Sequence, residues 1–120
     1  MIRFNRYLKE IGIKKDSFPF KIEDDRYIED KDTKISSAET WDLQYTLNLV
    51  IYSYLRAFKE HGYSYAHPHS VTHKKWGEIL DEMIEGFGLA IKDDFPSNRK
   101  RKKIKKARRL LLKWYDDLWW

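Results

Sequence analysis

TWDLQYTLNLVIYSYLRAFKEHG, residues 40–62, is the stretch on which the fold depends. It predicts one helix of about six turns, roughly 30 Å long. Apolar residues return every three or four positions, which favours a helix over a strand because such residues share one helical face. This apolar stripe consists of Leu43, Leu47, Val50, Ile51, Tyr54 and Phe58. Because the helix has apolar residues on most of its circumference, we expect it to be central and packed on several sides.

A second stripe on the same helix carries aromatic, amide and guanidinium groups. It consists of Trp41, Tyr45, Asn48, Tyr52 and Arg56. Aromatic rings stack on bases and a guanidinium donates to phosphate, so the last four are candidate contacts for a nucleotide-type ligand. The alternative is that the stripe packs against the N-terminal segment, with its tyrosine hydroxyls at the surface.

The ends of this central helix follow from capping residues. Thr40 suits an N-cap, and Ser36 with Glu39 forms a competing capping-box signal one turn earlier. Gly62 suits the left-handed conformation that ends many helices.

Two further helices are predicted downstream. One covers residues 72–91 with Thr72 as its N-cap, and the other runs from Ser97 or Asn98 to about residue 118. The core stripe predicted for the third helix is Ile104, Ala107, Leu111, Tyr115 and Leu118. The glycines in the second are Gly77, Gly86 and Gly88. Because glycine weakens a helix, they indicate that another backbone approaches closely, and we expect the central helix there.

The fold class predicted from these patterns is mainly α. We expect one domain over residues 1–120, a small helical bundle of three principal helices, with an irregular N-terminal arm at 1–38 and a helical core at 40–119. A short amphipathic helix within residues 1–14 would end at Gly12. An antiparallel pair formed by 41–61 and 73–91 is the expected centre of the bundle.

Composition excludes several classes of protein. A chain of 120 residues without cysteine has the size of one domain and lacks disulfides, cysteine zinc sites and thiol nucleophiles, which fits a reducing cytoplasm. No apolar run reaches about 18 residues, and the N-terminus lacks the apolar core of a signal peptide, so we expect no membrane association.

The net charge of +5 hides one strongly basic segment. Residues 99–109, RKRKKIKKARR, contain nine Lys or Arg, and removing these from +5 leaves −4 for the rest of the chain. Such a block attracts anions, including nucleotides and nucleic acid. The alternative is that it lies against the acidic residues at 23–25 and 78–85.

The remaining candidates for chemistry are weak. The histidines His61, His67, His69 and His73 lack the fixed spacing of a zinc site, and their alternative role is in a polar loop. The acids Glu78, Asp81, Glu82 and Glu85 recur at helical spacing, which is typical of a solvated face. We therefore expect no catalytic residues, no metal site and no cofactor.

Three ordered blocks resemble an uncharacterised family of small proteins encoded by tailed bacteriophages. They are WDL at 41–43 with YLRAFK at 54–59, WGEILDEMIEGF at 76–87, and LKWYDDLW at 112–119. The chain departs from the family pattern at Tyr54, where the family tends to have Pro, and at Gly86, where it tends to have Ala. The resemblance implies a phage protein acting in the host bacterial cytoplasm, and it implies no activity.

These observations lead us to expect a non-enzymatic phage protein that counters host defence by sequestering a nucleotide-type immune signal, between helices or across a homo-oligomer interface. The candidate contacts are Tyr45, Asn48, Tyr52, Arg56, Lys105, Arg108 and Arg109. One alternative is a nucleic-acid-associated protein that uses residues 99–109. Another is direct inhibition of a host protein through the Trp119 and Trp120 end.

Overall fold

The computed structural model describes residues 2–20 and 27–120, and the mainly α fold class is confirmed. Its helices are α1 (Arg6–Glu10), α2 (Ser37–Trp41), α3 (Leu43–Gly62), α4 (His73–Lys92) and α5 (Asn98–Lys113), followed by a 3-10 helix at Tyr115–Asp117. The chain divides into two compact units, Met1–Ser53 and Tyr54–Trp120. The boundary lies within α3, later than the predicted division between residues 38 and 40. The predicted pairing of 41–61 with 73–91 crosses it and stays a prediction.

Helix α1 is shorter than the predicted amphipathic segment. It begins where the Asn5 side chain accepts hydrogen bonds from the backbone N–H groups of Tyr7 and Leu8, at 3.1 and 3.3 Å. Gly12 follows the helix with φ +91°, a conformation that favours glycine. The helix therefore spans only the residues between an N-cap and the predicted glycine terminator.

The central stretch begins earlier than Thr40, because the competing capping box at Ser36 and Glu39 forms. The Glu39 carboxylate accepts the N–H of Ser36 at 2.7 Å and starts α2. Thr40 lies inside α2, where its hydroxyl donates to the Ser37 carbonyl. A break at Asp42 then separates α2 from α3.

Glu39 also holds the N-terminal segment. Its side chain is buried, and its second oxygen accepts the backbone N–H of Ile2 at 2.5 Å. One carboxylate thus satisfies two backbone donors from segments 34 residues apart in sequence, Ile2 and Ser36. A buried carboxylate with two charge-assisted hydrogen bonds is a strong local constraint on the Met1–Ser53 unit.

Glu39→Ala should lower the free energy of unfolding by about 2 kcal/mol, because it removes both acceptors and leaves their donors unpaired. Glu39→Gln should cost less, since the amide retains one acceptor oxygen. Urea unfolding measures both changes. The control is Glu78→Ala, an exposed carboxylate 3.8 Å from Lys75, whose loss should change stability by less than about 0.5 kcal/mol. Equal effects of Glu39→Ala and Glu78→Ala would contradict the anchoring role.

The apolar stripe of α3 does not coincide with its buried side. Leu43, Leu47 and Tyr54 of the apolar stripe are exposed. The buried side chains of α3 are instead Thr46, Asn48, Leu49, Tyr52, Ser53 and Leu55. Large residues of α3 occupy most of its circumference, so apolar spacing alone does not identify the side that is buried.

The predicted caps of α4 and α5 are confirmed. The Thr72 hydroxyl accepts the N–H of Lys75 at 3.1 Å, and the Ser97 hydroxyl accepts that of Lys100 at 3.4 Å. Helix α5 ends at Lys113 instead of about residue 118, and its Trp114 cap leads into the 3-10 helix. Two acids, Asp116 and Asp117, follow at the negative end of the helix dipole, where they disfavour a longer helix.

Close approach of another backbone is confirmed at Gly86, but the expected partner is wrong. A Cβ on Gly86 would lie 2.8 Å from the Lys103 carbonyl oxygen and closer still to the Ala107 Cβ, so the neighbour is α5 and not the central helix. A Cβ on Gly77 would meet the Tyr63 ring. The tight crossing of α4 and α5 fixes which side of α5 faces outward.

Candidate anion-binding face

The basic segment forms most of α5, and seven of its nine cations fall into two groups; Arg99 and Arg101 are exposed near the start of the helix and belong to neither. Three of the seven pair with acids at or near α4, namely Lys103 with Glu85 at 2.7 Å, Lys106 with Glu82 at 2.9 Å and Lys100 with Asp93 at 3.1 Å. The hydrogen bond from Lys100, with a smaller contribution from the Phe95 backbone N–H, holds the pKa of Asp93 below its ordinary value. Pairing of the block with the acids at 78–85 is thus correct for two of these lysines. The acids at 23–25 lie outside the described residues.

The second group points away from α4. Lys102, Lys105, Arg108 and Arg109 are exposed, and within residues 2–20 and 27–120 their side chains make no ion pair or hydrogen bond. Together with Lys106 they line an open depression of about 620 Å³. Because Lys106 pairs with Glu82, we call only the surface formed by the four unpaired side chains the cationic face. It brings together the three α5 residues predicted as ligand contacts, Lys105, Arg108 and Arg109.

The cationic face is linear. Residues 102, 105 and 109 are spaced by three and four positions, so they lie along one side of α5 over about 10 Å. A nucleic-acid strand places one phosphate per about 3.4 Å of helix axis. The row therefore matches the length of about three successive phosphates.

The concentration of positive charge destabilises α5 itself. Lys105 and Arg109 form a like-charge pair at i, i+4, which costs an isolated helix about 0.2–0.5 kcal/mol. Cations in the first turns also oppose the helix dipole. Helix α5 is stabilised by its Ser97 cap and by Ile104 and Ala107, which are buried. The unpaired cations make no such contribution, so the stability of α5 does not account for their concentration.

The α3 candidates are less accessible. Asn48 and Tyr52 are only 6% and 3% exposed, and a ligand would reach them only if the packing around α3 opened. Tyr45 and Arg56 are half-buried, and both already interact with other groups in the protein. Ligand binding by these four residues stays a prediction.

Two of the four histidines, His67 and His73, make local contacts, and their ring centroids lie 5.8 Å apart. The His73 ring stacks on Tyr63 with centroids 4.0 Å apart, and its Nε2 lies 2.8 Å from the Tyr63 carbonyl oxygen. That nitrogen must donate to the carbonyl, so its lone pair is not available to a metal. Among the described residues no group of three or more His, Cys, Asp or Glu is placed to hold a metal ion.

Aromatic residues near the end of the chain differ from their predicted roles. Tyr115, predicted in the core stripe, is exposed, as are Leu112 and Trp119. Trp114 packs edge-on against the buried Trp76 at 5.7 Å. Trp120 stacks on Tyr65 at 5.4 Å and covers Gly62, where an added Cβ would lie 2.6 Å from the indole nitrogen. The two tryptophans predicted to act together therefore have different environments.

Comparison of the chain with family models, curated proteins and solved structures finds no match. The resemblance to phage proteins stays a prediction. No helix in the described part of the chain has both the length and the apolar character required to cross a bilayer.

Proposed function

We propose that this protein is a non-enzymatic nucleic-acid-binding protein that uses the cationic face of α5. The observation that carries the proposal is the set of four exposed cations, Lys102, Lys105, Arg108 and Arg109, without ion-pair partners in the described structure. Phosphate neutralisation by such a row releases counterions, which is the main source of sequence-independent affinity for nucleic acid.

Two features favour a polymer over a small anion. The row extends for about 10 Å along the helix, which suits successive phosphates of one strand. The depression is lined by cations and open to solvent, whereas small-molecule sites bury most of their ligand. An open row gains affinity from each additional phosphate that it contacts.

The two groups of cations allow a matched test of this proposal. The outer triple variant changes Lys102, Lys105 and Arg109 to Gln, and the paired triple variant changes Lys100, Lys103 and Lys106 to Gln. Each removes three positive charges from the same helix and substitutes a residue of good helix propensity. Binding of a labelled duplex is measured by fluorescence anisotropy across a salt series.

We expect the outer triple variant to bind at least about tenfold more weakly and to reduce the slope of log affinity against log salt by about 2.7, the value for three lost phosphate contacts. The paired variant should reduce that slope by less than about 1, because its lysines already neutralise Asp93, Glu85 and Glu82. Equal slopes for the two variants would mean that net charge, and not the cationic face, governs binding. Absence of salt-dependent binding by the natural sequence would reject the proposal.

A second candidate function is sequestration of a nucleotide-type immune signal by a phage protein in the host cytoplasm. The volume of the depression, about 620 Å³, favours it, since that value lies in the range of small-ligand sites, and the four unpaired cations suit a ligand with several phosphates. Calorimetry against cyclic nucleotides and nucleotide-sugar signals tests it. Lack of any ligand that binds below about 100 μM would reject it, because sequestration without turnover requires tight binding.

A further inference from the structure

Three large exposed apolar or aromatic residues follow the cationic face along the chain. Leu112, Tyr115 and Trp119 are 77%, 66% and 71% exposed. Large apolar side chains with this much exposure commonly mark a site of interaction when they lie together. We call these three residues the aromatic end of the cationic face.

The aromatic end continues the direction of α5. Arg108 and Leu112 are four residues apart on α5, the spacing of neighbours on one helical side, and Tyr115 begins the 3-10 helix three residues later. The backbone stays compact across the junction, since Trp114 donates to the Leu110 carbonyl and the 3-10 helix follows at once. At 1.5 Å per residue, Tyr115 comes about 9 Å after Arg109 along the axis.

The charges beside these rings differ in sign from those of the cationic face. Asp116 is exposed and Asp117 is half-buried, so both carboxylates lie within one turn of the aromatic side chains. Carboxylates repel phosphates, which makes this end unsuitable for the backbone of a strand. Exposed aromatic rings instead offer stacking surfaces to uncharged planar groups such as bases.

We propose that the protein prefers single-stranded nucleic acid, with phosphates on the cationic face and unpaired bases stacked on Tyr115 and Trp119. This inference rests on the proposed function and adds the class of nucleic acid. In a duplex the bases are stacked inside and two backbones carry phosphate, so the aromatic end gains no stacking and Asp116 meets phosphate. In a single strand the base can turn toward the rings while its phosphate stays near Arg109.

An anionic lipid surface fits these residues less well. Helices that lie in a membrane interface insert a continuous apolar face, but the apolar residues Ile104 and Ala107 of α5 are already buried. The exposed rings are also adjacent to Asp116 and Asp117, which an anionic surface would repel.

The experiment compares an oligonucleotide of about 12 nucleotides, single-stranded and as a duplex of the same sequence, using the full chain. The test variant is Tyr115→Ala with Trp119→Ala, and Tyr115→Phe with Trp119→Phe retains the rings. Tyr54→Ala removes an equally exposed tyrosine from α3 and is the matched control. Circular dichroism verifies that each variant keeps its helix content.

We expect the double Ala variant to lose about 30-fold or more in single-strand affinity, since each stacked base contributes roughly tenfold. Its duplex affinity should stay within about twofold, and the Phe variant should retain at least a third of the single-strand affinity. Tyr54→Ala should bind like the natural sequence. Tryptophan quenching by the single strand should decrease in Trp119→Phe.

If the double Ala variant lost equal affinity for the single strand and the duplex, or lost none for either, the inference would be overturned. Nucleic-acid binding itself would still be supported by the salt-series comparison of the outer and paired triple variants. No binding of either oligonucleotide would reject both proposals. Vesicles containing phosphatidylserine form a third arm of the experiment. Vesicle binding that requires Tyr115 and Trp119, without single-strand binding, would overturn the inference in favour of a lipid surface.

Discussion

Gly86→Ala is expected to lower the free energy of unfolding of the Tyr54–Trp120 unit by about 3 kcal/mol, the upper part of the range for overpacking. Elsewhere in a helix the same change stabilises by up to about 1 kcal/mol, because Ala has the better helix propensity. Here the new methyl group would overlap the Ala107 Cβ and lie 2.8 Å from the Lys103 carbonyl oxygen. Backbone atoms of α5 cannot move aside as a flexible side chain can, so the helices must separate.

Exchanging the two small residues provides a specific control. Ala107→Gly alone should cost about 1 kcal/mol through helix propensity. The double variant, Gly86→Ala with Ala107→Gly, should lose less unfolding free energy than the two single variants do together, by at least about 1 kcal/mol. The new methyl group then occupies the space that the Ala107 methyl group vacates. Recovery should remain partial, since the Lys103 carbonyl is unchanged. Chemical unfolding of all four proteins gives the coupling energy, and additive effects would contradict a direct contact.

The same crossing determines the charge pattern of α5. Lys103 and Lys106 reach Glu85 and Glu82 because α5 lies close to α4 at Gly86, and the cations on the opposite side remain unpaired.

Local signals in the sequence were sufficient to predict the long helices. Ser97 and Thr72 cap the helices that they were expected to cap. The buried apolar residues of α4 recur at the helical spacing of three or four, namely Trp76, Ile79, Leu80, Met83, Phe87 and Ile91. These signals succeed because the hydroxyl of a cap contacts backbone only three residues away. The choice between Thr40 and Ser36 depended on Glu39, whose second hydrogen bond comes from Ile2 and is not local.

The inward side of α3 required information that apolar spacing does not contain. Asn48 and Tyr52 are buried while Leu43 and Leu47 are exposed, an arrangement opposite to hydropathy. A helix with large residues on most sides has no single preferred orientation until its neighbours are in place. Tertiary packing therefore decided that face.

The candidate site was predictable in part. Composition identified the block at 99–109, and the buried positions Ile104 and Ala107 imply that residues 102, 105 and 109 lie on the opposite side of the helix. The division into paired and unpaired lysines also needed the position of α4. The exposure of Tyr115 was missed because the helical spacing was extended beyond Trp114, where α5 ends.

Trp76→Ala is the second large effect that we expect, a loss of about 3–5 kcal/mol in the free energy of unfolding. The Trp76 side chain is 1% exposed, and its ring packs edge-on against Trp114. Replacement by Ala leaves a cavity under α5, and the surrounding helices can fill it only partly. Trp76→Phe should cost less, because an aromatic ring still contacts Trp114.

The other tryptophans supply a graded comparison within the same unit. Trp114 is half-buried, so Trp114→Ala should cost less than Trp76→Ala and should also loosen the segment after α5. Trp119→Ala removes an exposed ring and should change stability by less than about 0.5 kcal/mol. Urea unfolding, with near-UV circular dichroism to follow the aromatic environments, measures the order of the three effects. If Trp119→Ala lost as much unfolding free energy as Trp76→Ala, Trp119 would belong to the core. That result would contradict its assignment to the aromatic end of the cationic face.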